Sequence, residues 1–249
     1  KTGIVMKEIL VVGLGEIGTS VKNIEEQAGN KVYVCDLDVD KNKFNETNKY
    51  DVIHVCIPYK GYDFVDTVVE YWKKYDSPMF IIHSTVPVGT TTLIEGYGVP
   101  VVHSFVRGVH PNLEEGLLTF EKPVGSSDKD FSLKASKHLE SLGIKTKILS
   151  SSETSELSKI LSTTYYGYNI IFAKIVNEMC KQEGVDFDEV YTWANETYNQ
   201  GYKELGKENV IRPVLFPPEG EIGGHCVVPN FKLLPPNDLS EWCISQNSK

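Results

Sequence analysis

A strand-like run that stops on a glycine turn fixes most of what this chain can become: Ile9-Leu10-Val11-Val12-Gly13-Leu14-Gly15-Glu16-Ile17-Gly18 reads as strand, tight turn and helix. In such a turn the first glycine permits the bend and the second lets backbone N–H groups approach a pyrophosphate. The third brings the helix close to the strand, and the helix N-terminus faces the anion. Gly13, Gly15, Glu16, Ile17 and Gly18 are therefore the expected cofactor contacts, with the Glu16 charge turned to solvent. A second strand, Lys31 to Asp36, ends in an acid eighteen residues after Gly18. That is where a carboxylate accepts hydrogen bonds from an adenosine ribose, so Asp36 favours NAD over NADP; Asp38 is the lesser candidate.

Further strands are expected at Asp51 to Ile57, Phe80 to Ser84, Val101 to His103, Val124 to Gly125 and Lys145 to Leu149. Helical patterns separate them at Asp63 to Lys74, around Gly89 to Ile94, and at Ser132 to Leu142. Alternation of this kind with nearly continuous apolar strands predicts an α/β fold, a doubly wound parallel Rossmann-type sheet over residues 1–150. Ligands then gather at the carboxyl ends of the strands, which carry Pro58, Ser84 with Thr85, and Arg107. His54 and His83 lie inside strands and read as packed residues.

The next stretch, Glu153 to about Gly184, has apolar residues at Leu157, Leu161, Tyr165, Tyr168, Phe172, Ile175 and Met179, spacing that predicts one long helix. Ser150 and Glu153 supply a capping box. Thirty residues make a helix of about 45 Å, whose apolar positions cover more than one side and predict a homodimer through residues 153–184. Tyr165, Tyr166 and Tyr168 fall to core or interface. Residues 151–249 are thus a helical domain: a short helix over Val185 to Trp193 follows the long one, then a loop delivers Gly223-Gly224-His225-Cys226. Pro235-Pro236 is expected to halt any helix beyond it.

Charge and cysteines narrow the partners. Against 25 basic residues stand 34 acidic ones, a net charge of -9, which opposes nucleic-acid binding. Arg107 and Arg212 are the only arginines, so a planar fork for an anion comes from one of two places. Five scattered cysteines without CxxC spacing suggest neither a disulfide framework nor zinc, so no metal is expected. No apolar run approaches a membrane span and no signal-like segment precedes the first strand, so a cytoplasmic protein is expected.

GLGEIG at 13–18, DVIHVCIP at 51–58, STVPVGTT at 84–91, SELSK at 155–159 and GEIGGHC at 220–226 together resemble the nucleotide-sugar dehydrogenases, such as UDP-glucose 6-dehydrogenase and the UDP-N-acetylmannosamine dehydrogenases, which serve polysaccharide biosynthesis. The resemblance implies oxidation of a sugar C6 alcohol to a carboxylate with two NAD. By it, Cys226 is the thiol nucleophile, Lys159 the cation beside the developing alkoxide, and Thr85 a water-positioning hydroxyl. Gly224 and the two arginines would meet the substrate, Arg212 in the partner subunit's site.

The residue types fit that chemistry on their own. An aldehyde goes on to the acid only through a nucleophile, and a thiolate gives a hemithioacetal, then a hydrolysable thioester. His225 would lower the thiol pKa if its ring faced the sulfur, although a neighbouring side chain in a loop often points elsewhere. Departures from the family pattern are Thr163 where it has Asn, Asn230 where it has Asp, and Val106 where it has Glu. The family also carries a second Rossmann-like domain after the cysteine segment, and this chain ends before it, a short form. A β-hydroxyacid dehydrogenase, with Lys159 as the catalytic residue, and a non-catalytic NAD-binding subunit are the competing readings.

Overall fold

The computed structural model describes residues 5–109, 111–223 and 227–248. They form two compact units, Lys1–Lys159 and Ile160–Lys249.

The first unit is built on five parallel strands, β1 (Glu8–Val12), β2 (Lys31–Cys35), β3 (Val52–Val55), β4 (Phe80–Ile82) and β5 (Val101–His103), in the order β2-β1-β3-β4-β5. Successive side chains of a strand point to opposite faces, and both faces here are apolar. Leu10, Val12, Ile53 and Val55 pack on one side with α2 (Asp63–Lys74) and α3 (Thr90–Gly96). Ile9, Val11, Ile81 and Val102 pack on the other with α1 (Glu16–Gln27), α4 (Leu113–Thr119) and α5 (Lys129–Ser141). Each such side chain taken from water contributes about 1.5–3 kcal/mol, and β1, with Ile9 to Val12 all at 0% exposure, is an interior strand between β2 and β3.

The expected single parallel sheet stops at β5. The last two strands, β6 (Lys122–Val124) and β7 (Thr146–Ile148), pair with each other in a separate ribbon, joined to β5 by an antiparallel bridge between His103 and Gly125. A Cβ on Gly125 would stand 2.3 Å from the Ser151 carbonyl, so the chain turns there at close quarters and β6 leaves the sheet.

His54 and His83 are packed as expected, and they belong to a buried polar chain. Glu25, on the core face of α1, accepts at Oε1 from His138 Nε2 (2.6 Å) and His54 Nε2 (2.8 Å), and at Oε2 from Asn30 (2.6 Å). Lys7 Nζ lies 3.0 Å from His138 Nδ1, and His83 Nε2 lies 2.8 Å from His54 Nδ1. Burial pushes the Glu25 pKa up, but the two imidazole hydrogen bonds outweigh it and hold the carboxyl well below the usual range. Glu25, His54 and His138 bring the atom types of a divalent-metal site together. An ammonium at His138 Nδ1 needs a lone pair there, however, which puts the ring proton on Nε2 facing Glu25. The cluster therefore shares protons.

The helix α6 (Ser152–Glu183) begins in the first unit, and its 32 residues rise about 48 Å. Its cap is Ser151, whose Oγ accepts from Thr154 N–H at 3.2 Å; the expected capping box of Ser150 with Glu153 does not form. Glu153 is drawn instead to the Thr92 hydroxyl on α3. Three residues on, the buried carboxylate of Glu156 accepts from the N–H groups of Gly89 (2.6 Å) and Thr91 (2.8 Å), closing the N-terminus of α3.

In the second unit the face of α6 that is buried differs from the stripe read in the sequence. Ile160, Thr164 and Ile171 are buried, whereas Leu161, Tyr165, Tyr166, Phe172 and Met179 are exposed, and Tyr168 stacks obliquely on Trp242. Gly167 lies on the buried face because α8 (Val227–Phe231) crosses it: a Cβ there would come 2.3 Å from Val227 Cγ1. The expected short helix at Val185 to Trp193 is a π-helical turn, Asp188–Trp193, running into α7 (Ala194–Glu204). The prolines at 235 and 236 do not end the helical structure. Asn237 accepts from Ser240 N–H at 2.8 Å and caps α9 (Asp238–Asn247), since a proline ahead of an N-cap withholds no needed donor. No described helix is long and apolar enough to cross a membrane.

Candidate functional site

The glycine turn between β1 and α1 does what its spacing predicts. Gly13 has φ +88° and lies against β3, where a Cβ would meet the Cys56 carbonyl at 3.0 Å. At Gly18 a Cβ would fall 1.7 Å from the Gly13 carbonyl, so the helix can approach the turn only as glycine. Gly15, the N-cap of α1, has open space where its side chain would be. An anion can therefore reach the backbone N–H groups and the positive end of the helix dipole.

Asp36, just after β2, is bound into the same turn. Its Oδ2 accepts from Leu14 N–H at 2.6 Å and its Oδ1 from Asp38 N–H at 2.9 Å. Those bonds hold its carboxyl below the usual carboxylate range. Each oxygen keeps a further lone pair. A cleft of about 300 Å³ bordered by Gly13, Gly15, Asp36 and Pro58 opens here, at the point where strand order reverses between β1 and β3. Glycine turn, helix end and carboxylate fit a dinucleotide. Sequence reading missed the cleft's far wall, made by Asp63, Phe64, Thr67 and Tyr71 of α2 with Lys60 ahead of it. The signal was present: 63, 67 and 71 recur every four residues along one helix face.

The other expected residues of this unit lie at strand ends. Ser84 Oγ donates to the Ile57 carbonyl at 2.5 Å, tying the loop after β4 to the loop after β3, and Thr85 follows half-buried. After β5, Lys159 Nζ donates to the Val106 carbonyl at 3.0 Å. Its ammonium lies 5.9 Å from the Phe105 ring centre and the Arg107 guanidinium 5.3 Å from it, so the two cations share one aromatic ring.

In the second unit Thr163 is half-buried on α6 and Asn230 is 6% exposed on α8. Arg212 stacks 3.6 Å from the Tyr198 ring centre, while its backbone exchanges two 2.8 Å hydrogen bonds with the Asn199 side chain. Gly223 is described, but Gly224, His225 and Cys226 lie outside the described residues.

A parallel sheet in this order, with a glycine turn at its switch point and an acid closing β2, defines a Rossmann-type fold followed by a helical region. Within that class the chain is similar to UDP-N-acetyl-D-mannosamine dehydrogenase of Methanocaldococcus jannaschii, 22% identical across 98% of its own length and spanning 62% of that protein's. Among solved structures it matches a UDP-D-ManNAc dehydrogenase of Pyrococcus horikoshii with a TM-score of 0.77, at 18% identity over 96% of this chain and 68% of that one. It also matches a Mycobacterium tuberculosis 3-hydroxyisobutyrate dehydrogenase at 0.67, with 15% identity over 96% of this chain and 92% of that one. No family model matches it. The chain thus resembles nucleotide-sugar dehydrogenases over nearly its whole length.

Proposed function

We propose that this chain is an NAD-dependent dehydrogenase that oxidises the primary alcohol of a nucleotide sugar to the carboxylate through a thioester on Cys226. The observation that carries the reading is Asp36. It follows β2 as an anion, fixed to the glycine turn by Leu14 N–H, with lone pairs left for a ribose diol and a charge that repels a 2′-phosphate. NAD, when bound, supplies the hydride acceptor for each of the two oxidations. Lys159 sets its ammonium beside the substrate oxygen and stabilises the developing alkoxide as the hydroxyl proton passes to solvent water. The Cys226 thiolate adds to the aldehyde carbon, so the aldehyde is held as a hemithioacetal until the second hydride leaves. Thr85, with Thr163 and Asn230, positions the water that cleaves the thioester, returning the thiol and releasing the acid. Arg107 and Arg212 supply cationic forks for the substrate's anionic groups.

The similarity to the two mannosamine dehydrogenases supports the substrate class. The exposed Tyr165, Phe172 and Met179 on α6 support a homodimer through that helix. NADH counted against product tests the reaction with UDP-N-acetylmannosamine and UDP-glucose as first substrates. Two NADH per acid are expected, with Cys226→Ser halting after the first oxidation. One NADH per turnover, unaffected by Cys226→Ser, would favour a β-hydroxyacid dehydrogenase. That second reading draws on the match along 92% of the 3-hydroxyisobutyrate enzyme's length.

A further inference from the structure

Lys122 opens β6, is 3% exposed, and no step above uses it. Its Nζ donates to two successive carbonyls, Ser104 at 2.6 Å and Phe105 at 2.8 Å, while the Ser104 hydroxyl donates back to the Pro123 carbonyl at 2.6 Å. The next carbonyl, that of Val106, is the one that receives Lys159. Arg107 comes next in the chain, its guanidinium over the Phe105 ring. One buried amine therefore grips the underside of a short segment on which both cations rest.

We infer that Lys122 is a positioning residue: it fixes the backbone of residues 104–106 from beneath and so sets where Lys159 and Arg107 present their charge to the substrate. The functional half of this inference rests on the dehydrogenase reading above; the geometric half does not.

The amine's surroundings say in which form it works. Cys56, after β3, burial pushes up to about 12, so it stays a thiol. His54 and His83 on the sheet and His103 on β5 are all lowered, first by burial, and are neutral at pH 7. From α6 the facing group is Lys159, a like charge. No anion is among these groups. A neutral amine carries two N–H bonds, matching two carbonyls; an ammonium carries three and opposes Lys159. Burial brings Lys122 down to about 7. Above that pH the segment is held by a neutral clamp. Below it the clamp gains a charge, and the cation on the next carbonyl meets a repulsive neighbour.

The test compares the native protein with Lys122→Met, which keeps length and loses both donors, and Lys122→Gln, a shorter neutral donor that gains no proton. Hydrogen exchange of the amides at 104–107 reads the clamp without any substrate. At least tenfold faster exchange is expected in Lys122→Met and an intermediate rate in Lys122→Gln. In turnover, Lys122→Met should lose at least tenfold in kcat with KM for NAD within twofold. The native fall in kcat below pH 7 should vanish in both variants, with Lys122→Gln recovering part of the rate. Unchanged exchange at 104–107 in either folded variant overturns the inference. So does native kcat with the native pH profile in Lys122→Met. A protein that oxidises no alcohol, yet shows the exchange changes, refutes the dehydrogenase reading and keeps the clamp.

Discussion

Replacing Glu25 with Gln probes the buried polar chain through its centre. The carboxylate accepts three hydrogen bonds, from His138, His54 and Asn30, at 0% exposure. A hydrogen bond to a charged group contributes about 1.5–3 kcal/mol. The amide keeps one oxygen, which can serve the two imidazoles as a neutral and weaker acceptor, but it turns an NH₂ towards the NH₂ of Asn30. One charged bond is lost, two are weakened and two donors face each other, a cost of about 3–5 kcal/mol. At roughly 2–4 °C per kcal/mol for a chain of this size, Tm should fall by about 6–20 °C at pH 7.5.

The pH dependence follows from the direction of each shift. Burial lowers His54 and His83 beneath the 6.5 of an unfolded histidine, so below pH 6.5 the unfolded chain takes up protons that the folded one refuses. Stability present above pH 6.5 is therefore lost as the pH falls. Glu25, held below its unfolded 4.5, acts in the same direction further down, and its contribution fades only below pH 4.5. Thermal unfolding followed by circular dichroism from pH 8 to pH 3 should show a gap between native and Glu25→Gln that is widest above pH 4.5 and narrows below it. A gap under 3 °C at pH 7.5, or one that stays constant to pH 3, would show that the Glu25 carboxylate does not hold the two imidazoles.

Gly18→Ala puts a methyl 1.7 Å from the Gly13 carbonyl and should abolish NAD binding by calorimetry while lowering Tm; binding within threefold of native would contradict the turn's role. Asp36→Ala should weaken NAD about tenfold, on the order of 1.4 kcal/mol, and narrow the gap to NADP; NADP binding tighter than NAD in the native protein would defeat the cofactor assignment. Gly167→Ala should cost about 1–3 kcal/mol by overpacking against Val227, and Val227→Ala should recover part of that in the double variant; simple additivity in urea unfolding would place α8 elsewhere.

What the sequence disclosed and what it withheld divide along the range of the interactions. Gly13, Gly15, Gly18 and Asp36 were legible because their demands are local: a turn, a close approach and an acid at a fixed distance along one supersecondary unit. The buried face of α6 was not, because that helix is apolar on two sides and only the crossing of α8 at Gly167 decides which side is covered. Seven residues of α4 are too few to show a helical period. Glu25 and His138 look like ordinary helix polar residues until a fold brings them together across 113 positions. Glu156 sat inside a motif noticed for Lys159, yet its own task, closing α3, depends on N–H groups 65 and 67 positions earlier.

That carboxylate also limits how α6 can move. An α-helix turns about 100° per residue, so a roll by one position would withdraw Glu156 from the Gly89 and Thr91 N–H groups and leave a buried acid and a bare helix end together. The start of α6 is thus keyed like a shaft in a slotted hub, its azimuth set by one tooth. Lys159, less than a full turn further on, inherits its bearing from that tooth, so the ammonium meets the Val106 carbonyl at a phase the helix cannot adjust freely. A substitution at Glu156 that left the fold intact would release this phase, and the first visible change would be in the aim of a lysine it never touches.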